Sequence, residues 1–254
     1  MNLSNLNIEE SRPRSEMGRW SMRSPEDYIL EVSDLSVKVQ DRTILEDVSF
    51  KVKRGTTLAI VGPNGAGKTM LFRALLGLVP HTGEVKWAQG VKIGYVPQKL
   101  SVTDIPISVR EFLSFKNASD VEKCLLAVGL DKTVLDRALG ILSGGQLQRV
   151  LIAWAVIDEP NVLLFDEPTT GVDLDSEEAV YEMLNALEHE HGITVILISH
   201  DVHVIRDYSE HMLALNKKVL CYAESEEITK PSVLHAIYGP GTALKPRKER
   251  KRTQ

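Results

Sequence analysis

This 254-residue chain has few cysteines, no long apolar run and no excess of positive charge. Its two cysteines, Cys124 and Cys221, match neither a disulfide framework nor a metal-binding pattern, which favours a reducing, cytoplasmic location. The longest uninterrupted apolar run, Val150–Ile157, is far shorter than the ~20 residues needed to cross a bilayer. The formal net charge of −5 supplies no overall basic field for nucleic acid. The sequence therefore predicts a protein that does not cross a membrane unaided and has no nucleic-acid partner.

The two ends of the chain differ in composition from its middle. Residues 1–27 are polar, with arginines among serines and no apolar stretch after them, so we predict a flexible leader and not a secretory signal. Residues 241–254 carry six lysines and arginines, which predicts a basic flexible tail. A weak contact of this tail with anionic lipid headgroups is the alternative interpretation. Residues 28–240 are long enough for a sizeable core.

Three short apolar runs indicate an α/β fold with a buried parallel sheet. The runs are continuously apolar after their first residue, as expected of strands covered on both faces: Thr57–Val61, Asn161–Phe165 and Thr194–Ile198. Glycine or polar residues follow each run. Because ligands bind beyond the carboxyl ends of the strands in open α/β sheets, we expect these residues to meet at one edge. Residues 29–54 alternate and predict antiparallel strands, and residues about 99–157 indicate an inserted helical subdomain.

The segment after the first run matches the phosphate-binding pattern G-x-x-x-x-G-K-[ST] in full. Its glycines let the backbone amides approach a triphosphate, and the helix predicted from Lys68 to Leu76 adds its positive end. Lys68 would neutralise phosphate charge, and the Thr69 hydroxyl would ligate Mg²⁺. The predicted nucleotide-binding residues here are Gly62, Pro63, Asn64, Gly65, Ala66, Gly67, Lys68 and Thr69.

Polar side chains at the other strand ends predict the hydrolytic chemistry. Asp166 is a candidate Mg²⁺ ligand, and Glu167 is a candidate general base for the attacking water. Paired carboxylates at a strand end are also compatible with a helix cap or a solvated turn. His200 would contact the γ-phosphate and orient the water, although a lone histidine at a strand end is often structural. Gln98 is a candidate to sense Mg²⁺ or the water and to signal to the helical subdomain.

A second glycine-rich element, Leu142–Gln146, predicts another anion site. Ser143 is spaced as an N-cap with Gln146 at the capping-box position, and the helix would begin with bare amides at Gly144 and Gly145. The positive end of that helix suits a phosphate. One chain then holds two anion sites but one nucleotide loop. This arithmetic suggests that Ser143, Gly144, Gly145 and Gln146 serve a nucleotide held by another copy.

With these motifs, the chain resembles the ATP-binding subunits of ABC transporters over about residues 29–240. The resemblance implies a P-loop NTPase core with an antiparallel β-subdomain and an inserted helical subdomain. It implies ATP and Mg²⁺ as cofactors and a head-to-tail homodimer that closes on ATP, with Asp173 in the loop for communication between subunits. It also implies a peripheral position on the cytoplasmic face of the cell membrane, beneath permease subunits, and indirect work with a metal-binding extracytoplasmic protein.

Several shorter strings resemble the zinc and manganese uptake ATPases. These strings are Gly94–Leu100, Ile105–Glu111, Ser199–His203 and Leu215–Cys221. They imply import of a divalent transition metal but do not identify it, because this subunit would never touch the cargo. A soluble ABC ATPase, for example one in iron–sulfur assembly, is the alternative that the motifs leave open.

Two residues depart from the family pattern. Val39 stands where the family usually has an aromatic residue that stacks on adenine, so we predict weak adenine selectivity or an aromatic residue supplied from elsewhere. Trp154 stands where the family usually has arginine, and it extends the apolar face of the predicted helix.

Overall fold

The structure, a computed structural model, describes residues 28–98, 106–116, 121–167, 174–200, 202 and 206–239. The predicted leader, the basic tail and Asp173 lie outside the described residues. The described strands are β1 Tyr28–Val39, β2 Arg42–Lys53, β3 Thr57–Val61, β4 Thr82–Trp87, β5 Ile93–Val96, β6 Val162–Asp166, β7 Thr194–Ile198, β8 His211–Asn216 and β9 Lys218–Glu224. The described α-helices are α1 Lys68–Leu75, α2 Val109–Ser114, α3 Val121–Ala127, α4 Gly144–Val156, α5 Leu174–His191, α6 Ser225–Ile228 and α7 Pro231–Tyr238.

The antiparallel sheet predicted from residues 29–54 is present and has the order β2-β1-β4. Strands β1 and β2 pair from Tyr28↔Lys53 to Val39↔Arg42, with several register shifts along the way. Inward-facing residues such as Leu30, Val32 and Leu35 are buried. The alternation read from the sequence therefore corresponds to a sheet with one face on the core.

The second sheet has the order β5-β6-β7-β3-β8-β9 and carries the three predicted core strands at its centre. Strands β5, β6, β7, β3 and β8 run parallel, and β9 closes one edge in the antiparallel sense. All five residues of β3, β6 and β7 are buried. The expected edge is confirmed, because parallel strands bring their carboxyl ends together.

Two apolar cores lie on opposite faces of this sheet. Leu58 and Ile60 of β3 pack into a core with the antiparallel sheet and α1. Ala59 and Val61 of the same strand pack into a core with α2, α3, α4 and α5. Alternate residues of one strand thus serve different cores, which explains why the strand sequences are apolar throughout.

The helices α2, α3 and α4 occupy the region predicted as a helical subdomain, and Trp154 holds two of them together. Its ring stacks on Phe112 of α2 at a centroid separation of 5.8 Å. The ammonium of Lys116 lies 4.0 Å from the Trp154 ring centroid and 2.7 Å from a carboxylate oxygen of Asp158. Trp154 therefore does more than extend an apolar face. An arginine at this position would bring a second positive charge next to Lys116.

No helix in the described part of the chain is both long and apolar enough to cross a membrane. Among the described residues, Cys124 is half-buried and Cys221 is buried, and neither forms a disulfide.

Candidate nucleotide-binding and hydrolysis site

Four strand ends of the parallel sheet bring the predicted polar residues to one edge. Gly62 follows β3, Asp166 ends β6, His200 lies two residues beyond β7 and Gln98 lies two residues beyond β5. Residues that are far apart in sequence therefore surround one space beside the glycine-rich loop. This edge is where an α/β sheet binds its ligand.

The glycine-rich loop adopts backbone conformations that only glycine takes easily. Gly62 has φ 150°, and a Cβ atom there would lie 2.0 Å from the carbonyl oxygen of Leu215. Gly67 has φ 97°, and a Cβ atom there would lie 2.7 Å from the Leu45 side chain. The glycines are thus required by the close approach of β8 and β2 as well as by any phosphate.

Lys68, the first residue of α1, places its ammonium inside the loop. Its Nζ donates to the carbonyl oxygen of Gly62 at 2.8 Å and to that of Pro63 at 3.2 Å. Burial lowers the pKa of Lys68, and the nearby carboxylates of Glu167 and Asp166 oppose that shift. A buried cation at the first turn of a helix is suited to hold phosphate oxygens.

Thr69 and Asp166 form a pair of oxygen donors beside Lys68. The Thr69 hydroxyl donates to Oδ1 of Asp166 over 3.2 Å. Asp166 is 1% exposed, and burial raises its pKa. A buried carboxylate next to a hydroxyl is a set of hard oxygen ligands, which Mg²⁺ prefers. These residues therefore fit the predicted metal position.

Glu167 lies between the side chains of Gln98 and His200. Nε2 of His200 lies 2.5 Å from Oε1 of Glu167, and the Gln98 amide donates to Oε2. The backbone amide of Glu167 donates to the carbonyl oxygen of Ile198 at 3.1 Å, which fixes the residue against β7. Glu167 has φ 54°, a left-handed conformation that costs a non-glycine residue energy and is concentrated at functional sites.

Glu167 is therefore in contact with both of the other predicted catalytic side chains, Gln98 and His200. Among the hydrogen bonds of the described residues, that of Gln98 goes to Glu167 and none joins it to Thr69 or Asp166. A sensing role of Gln98 through the carboxylate of Glu167 agrees with this geometry better than a place beside Asp166.

The second glycine-rich element begins α4 as the sequence predicts. The Ser143 hydroxyl accepts from the amide of Gln146 at 3.2 Å, and the Gln146 side chain accepts from the amide of Ser143 at 3.2 Å. This is a complete capping box. Ser143 and Gly144 are exposed, and no hydrogen bond within the described part of the chain joins them to the cluster around Lys68. Within one chain, hydrogen bonds of the described residues do not join the two predicted anion sites.

Two contributions to this site were not anticipated. The backbone of Lys217, in the turn between β8 and β9, donates to the carbonyl oxygen of Ala66 at 2.9 Å. The side chain of Tyr181, in α5, forms a hydrogen bond with Ser199 beside His200. The run Asn216-Lys-Lys218 between two apolar segments is a turn signal that could have located the Lys217 contact. Local spacing gives no signal for the contact of Tyr181 with Ser199.

A strand, a glycine-rich loop and a helix, with acidic residues at the end of β6 on the far side of β7, define a P-loop nucleotide-binding domain. The profile of the ABC transporter family matches residues 45–170. Over 218 residues, 84% of this chain and 85% of the relative, the chain is 39% identical to the zinc import ATP-binding protein ZnuC of Ruegeria pomeroyi. The chain therefore belongs to the ATP-binding subunits of the ABC transporter family.

Solved structures support the same assignment. The structure of cbiO1 from Clostridium perfringens, part of the ABC transporter complex cbiONQ, superimposes with a TM-score of 0.73. That comparison covers 83% of this chain and 94% of cbiO1 at 27% identity. A dimeric bacterial ABC transporter cassette superimposes with a TM-score of 0.64 at 26% identity, covering 77% of this chain and 98% of that cassette. As a member of this family, the chain binds ATP and couples its hydrolysis to transport with membrane permease subunits.

Proposed function

We propose that this chain is the motor subunit of an importer for a divalent transition metal, and that the metal is zinc in preference to manganese. The observation that carries the proposal is the 39% identity to a zinc import ATP-binding protein across 84% of the chain. The metal is cargo and passes through other subunits. The described residues contain no group of three or more His, Cys, Asp or Glu side chains that could hold a metal ion.

ATP is proposed to bind along the loop from Gly62 to Thr69, with Lys68 on the phosphates. Thr69 and Asp166 would hold Mg²⁺, and Gln98 would sense it through the carboxylate of Glu167. Bound there, Mg²⁺ would supply charge neutralisation for the triphosphate. The buried carboxylate of Asp166 and the half-buried hydroxyl of Thr69 support this position.

Glu167 is proposed to accept the proton of the attacking water, and His200 to orient that water and the γ-phosphate. The 2.5 Å contact between the two side chains supports this division of roles, since an imidazole held against the carboxylate fixes where each can point. Gln98, on the other side of Glu167, would report the state of the site to the helical subdomain.

A second copy of the chain is proposed to complete the site. The exposed amides at the start of α4, capped by Ser143 and Gln146, would contact the triphosphate bound by the partner's loop. A structural relative that is dimeric supports this arrangement. Asp173 would lie at the same interface. The dimer would sit peripherally on the cytoplasmic face of the membrane, beneath a permease that receives metal from an extracytoplasmic binding protein.

Metal accumulation in a strain that lacks this chain tests the proposal. The deletion strain is complemented with the wild-type chain or with Glu167→Gln, and cellular zinc, manganese and iron are measured after growth in metal-limited medium. We expect zinc to fall in the deletion and to recover with the wild-type chain alone. Unchanged zinc and manganese with a loss of iron–sulfur enzyme activity would instead identify a soluble assembly ATPase. Glu167→Gln separates a loss of hydrolysis from a loss of the protein.

A further inference from the structure

Tyr181 places a hydroxyl group in the core at the back of the hydrolysis site. The residue lies in α5 and is completely buried. Its Oη is 3.0 Å from Oγ of Ser199, which is itself 3% exposed. A buried hydroxyl pair at this distance forms a hydrogen bond, and breaking it removes a polar contact inside the core.

Ser199 joins this hydrogen bond to His200. It is the residue between the end of β7 and His200, and its backbone amide donates to the carbonyl oxygen of Ile60 at 3.3 Å. The peptide unit that carries His200 is therefore fixed by a backbone contact from β3 and a side-chain contact from α5. His200 is 44% exposed, so few packing contacts of its own restrain its ring.

The ring of Tyr181 is also fixed in place. It stacks on Tyr208 with centroids 5.5 Å apart and ring planes 18° apart. Phenylalanine would fill the same volume and keep this stacking. The hydroxyl is thus the part of Tyr181 that packing alone does not require.

We propose that Tyr181 is a positioning residue for hydrolysis: through Ser199 it holds the His200 imidazole against Glu167. This inference rests on the proposed roles of His200 and Glu167. Tyr181 does not touch nucleotide; it acts two contacts away, and it restricts where the imidazole can point. A small displacement of a catalytic group is costly, since a shift of about 1 Å can lower a rate by roughly 10²-fold.

A double-mutant cycle on the full-length chain tests the inference. ATPase activity is measured for Tyr181→Phe, His200→Ala and the double variant. In the wild-type background we expect Tyr181→Phe to lower kcat by about tenfold at unchanged KM for ATP, because the phosphate loop is untouched. In the His200→Ala background the same change should leave kcat within about a factor of two, because the ring to be positioned is absent. Ser199→Ala should reproduce Tyr181→Phe, and combining them should add nothing.

Tyr222→Phe is the matched control. Its hydroxyl donates to the carbonyl oxygen of Lys51 at 2.8 Å, on the side of the fold where β9 approaches β2. We expect Tyr222→Phe to lower the melting temperature. Any effect on kcat should be the same in the wild-type and His200→Ala backgrounds. For Tyr181→Phe, a fall in kcat of the same size in the wild-type and His200→Ala backgrounds, or no fall at all, would overturn the positioning role.

A measurement without turnover separates this inference from the proposed function. The chain has seven histidines, so the ring resonances of His200 in a ¹⁵N-histidine spectrum are assigned by their loss in His200→Ala. Tyr181→Phe should shift them, and Tyr222→Phe should shift at most those of His211, whose ring stacks on Tyr222. If His200→Ala retains normal kcat, the proposed role of His200 fails. Unshifted His200 resonances in Tyr181→Phe overturn the positioning role in either case.

Discussion

The backbone amide of Lys217 donates a 2.9 Å hydrogen bond to the carbonyl oxygen of Ala66, and the Lys217 carbonyl accepts one of 2.8 Å from the amide of Glu46. One turn residue between β8 and β9 thus connects the phosphate loop to β2 in the antiparallel sheet. Lys217 has φ 60°, which aims both backbone groups at their partners. Its side chain is exposed, so the contribution to the site is made by the backbone.

Lys217→Pro should weaken both the fold and the binding of ATP. Proline removes the amide and fixes φ near −65°, so we expect a loss of more than ~1 kcal/mol in the free energy of unfolding and a raised KM for ATP. Lys217→Gly keeps the amide and takes a positive φ without strain, and should be at least as stable as the wild type. Urea unfolding and ATPase kinetics measure both effects. A normal KM in the proline variant would show that the loop does not depend on this contact.

Glu167→Gln should slow hydrolysis by roughly 10²–10⁴-fold, the scale of a lost general base. The amide keeps the shape of the side chain but accepts no proton from water. ATP binding should survive, and a closed dimer should accumulate, which scattering in the presence of ATP would detect. Lys68→Ala is the contrasting variant, since it should weaken nucleotide binding itself. Near-normal turnover in Glu167→Gln would remove Glu167 from its role.

Val39→Tyr should strengthen ATP binding. Val39 ends β1 and is 43% exposed, so an aromatic ring there has room to meet a base. Stacking of a base on an aromatic side chain contributes about 1–3 kcal/mol. Equilibrium binding of ATP and GTP to both proteins measures the gain and the wild-type selectivity. Unchanged ATP affinity, with GTP binding far more weakly to the wild type, would contradict a weak adenine selectivity.

Lys116→Met should destabilise the helical subdomain more than Asp158→Asn does. The methionine variant loses the cation over the Trp154 ring together with the ion pair to Asp158, at about 0.5–2 kcal/mol for the ring contact. The asparagine variant loses only an ion pair whose acidic partner is 58% exposed, worth at most ~1 kcal/mol. Urea unfolding compares the two. Equal losses would mean that the ammonium gains nothing from Trp154.

Glu188→Gln should change how stability depends on pH. Thr57 donates its hydroxyl to Glu188 at 2.5 Å and its amide to Glu210 at 2.7 Å. Burial raises the pKa of Glu188, and the carboxylate of Glu210 raises it further. The folded state therefore keeps this proton to a higher pH than the unfolded chain. The stabilisation is complete below the unfolded pKa of ~4.3 and is lost as pH rises through the raised value.

The glutamine variant should therefore gain stability relative to the wild type as pH rises from the unfolded pKa through the raised pKa of Glu188. Urea unfolding between pH 4.5 and 8 measures the difference, with exposed Glu84→Gln as the control that should follow the wild type. Parallel curves for wild type and Glu188→Gln would contradict the assignment.

The parts of this site that depend on local sequence were predictable. Thr57–Val61 and Thr194–Ile198 are strands with the expected bounds, because buried parallel strands are apolar throughout. The predicted bounds of the strand Asn161–Phe165 were wrong by one residue at each end. The strand begins at Val162, since the Asn161 side chain accepts from the amide of Lys92 at 3.0 Å, and it extends to Asp166. The capping box of Ser143 and Gln146 spans four residues, so its spacing is visible in the sequence.

The parts that depend on distant contacts were not predictable. The hydrogen bond of Tyr181 with Ser199, and that of Lys217 with Ala66, join elements that only the folded sheet brings together. Strand β4 is mostly exposed, so it lacks the apolar signal of the central strands. The left-handed conformation of Glu167 is likewise set by its amide contact with β7 and not by its residue type.

The left-handed conformation of Glu167 places conformational stability and catalytic activity in conflict at the hydrolysis site. Glycine at position 167 would relieve a backbone cost on the order of 1–3 kcal/mol while deleting the carboxylate. A laboratory screen that rewards heat resistance alone would accordingly enrich inactive proteins at this position. Directed evolution of this ATPase for stability must therefore select for turnover at every round, because Glu167 is needed for hydrolysis and has a strained backbone conformation.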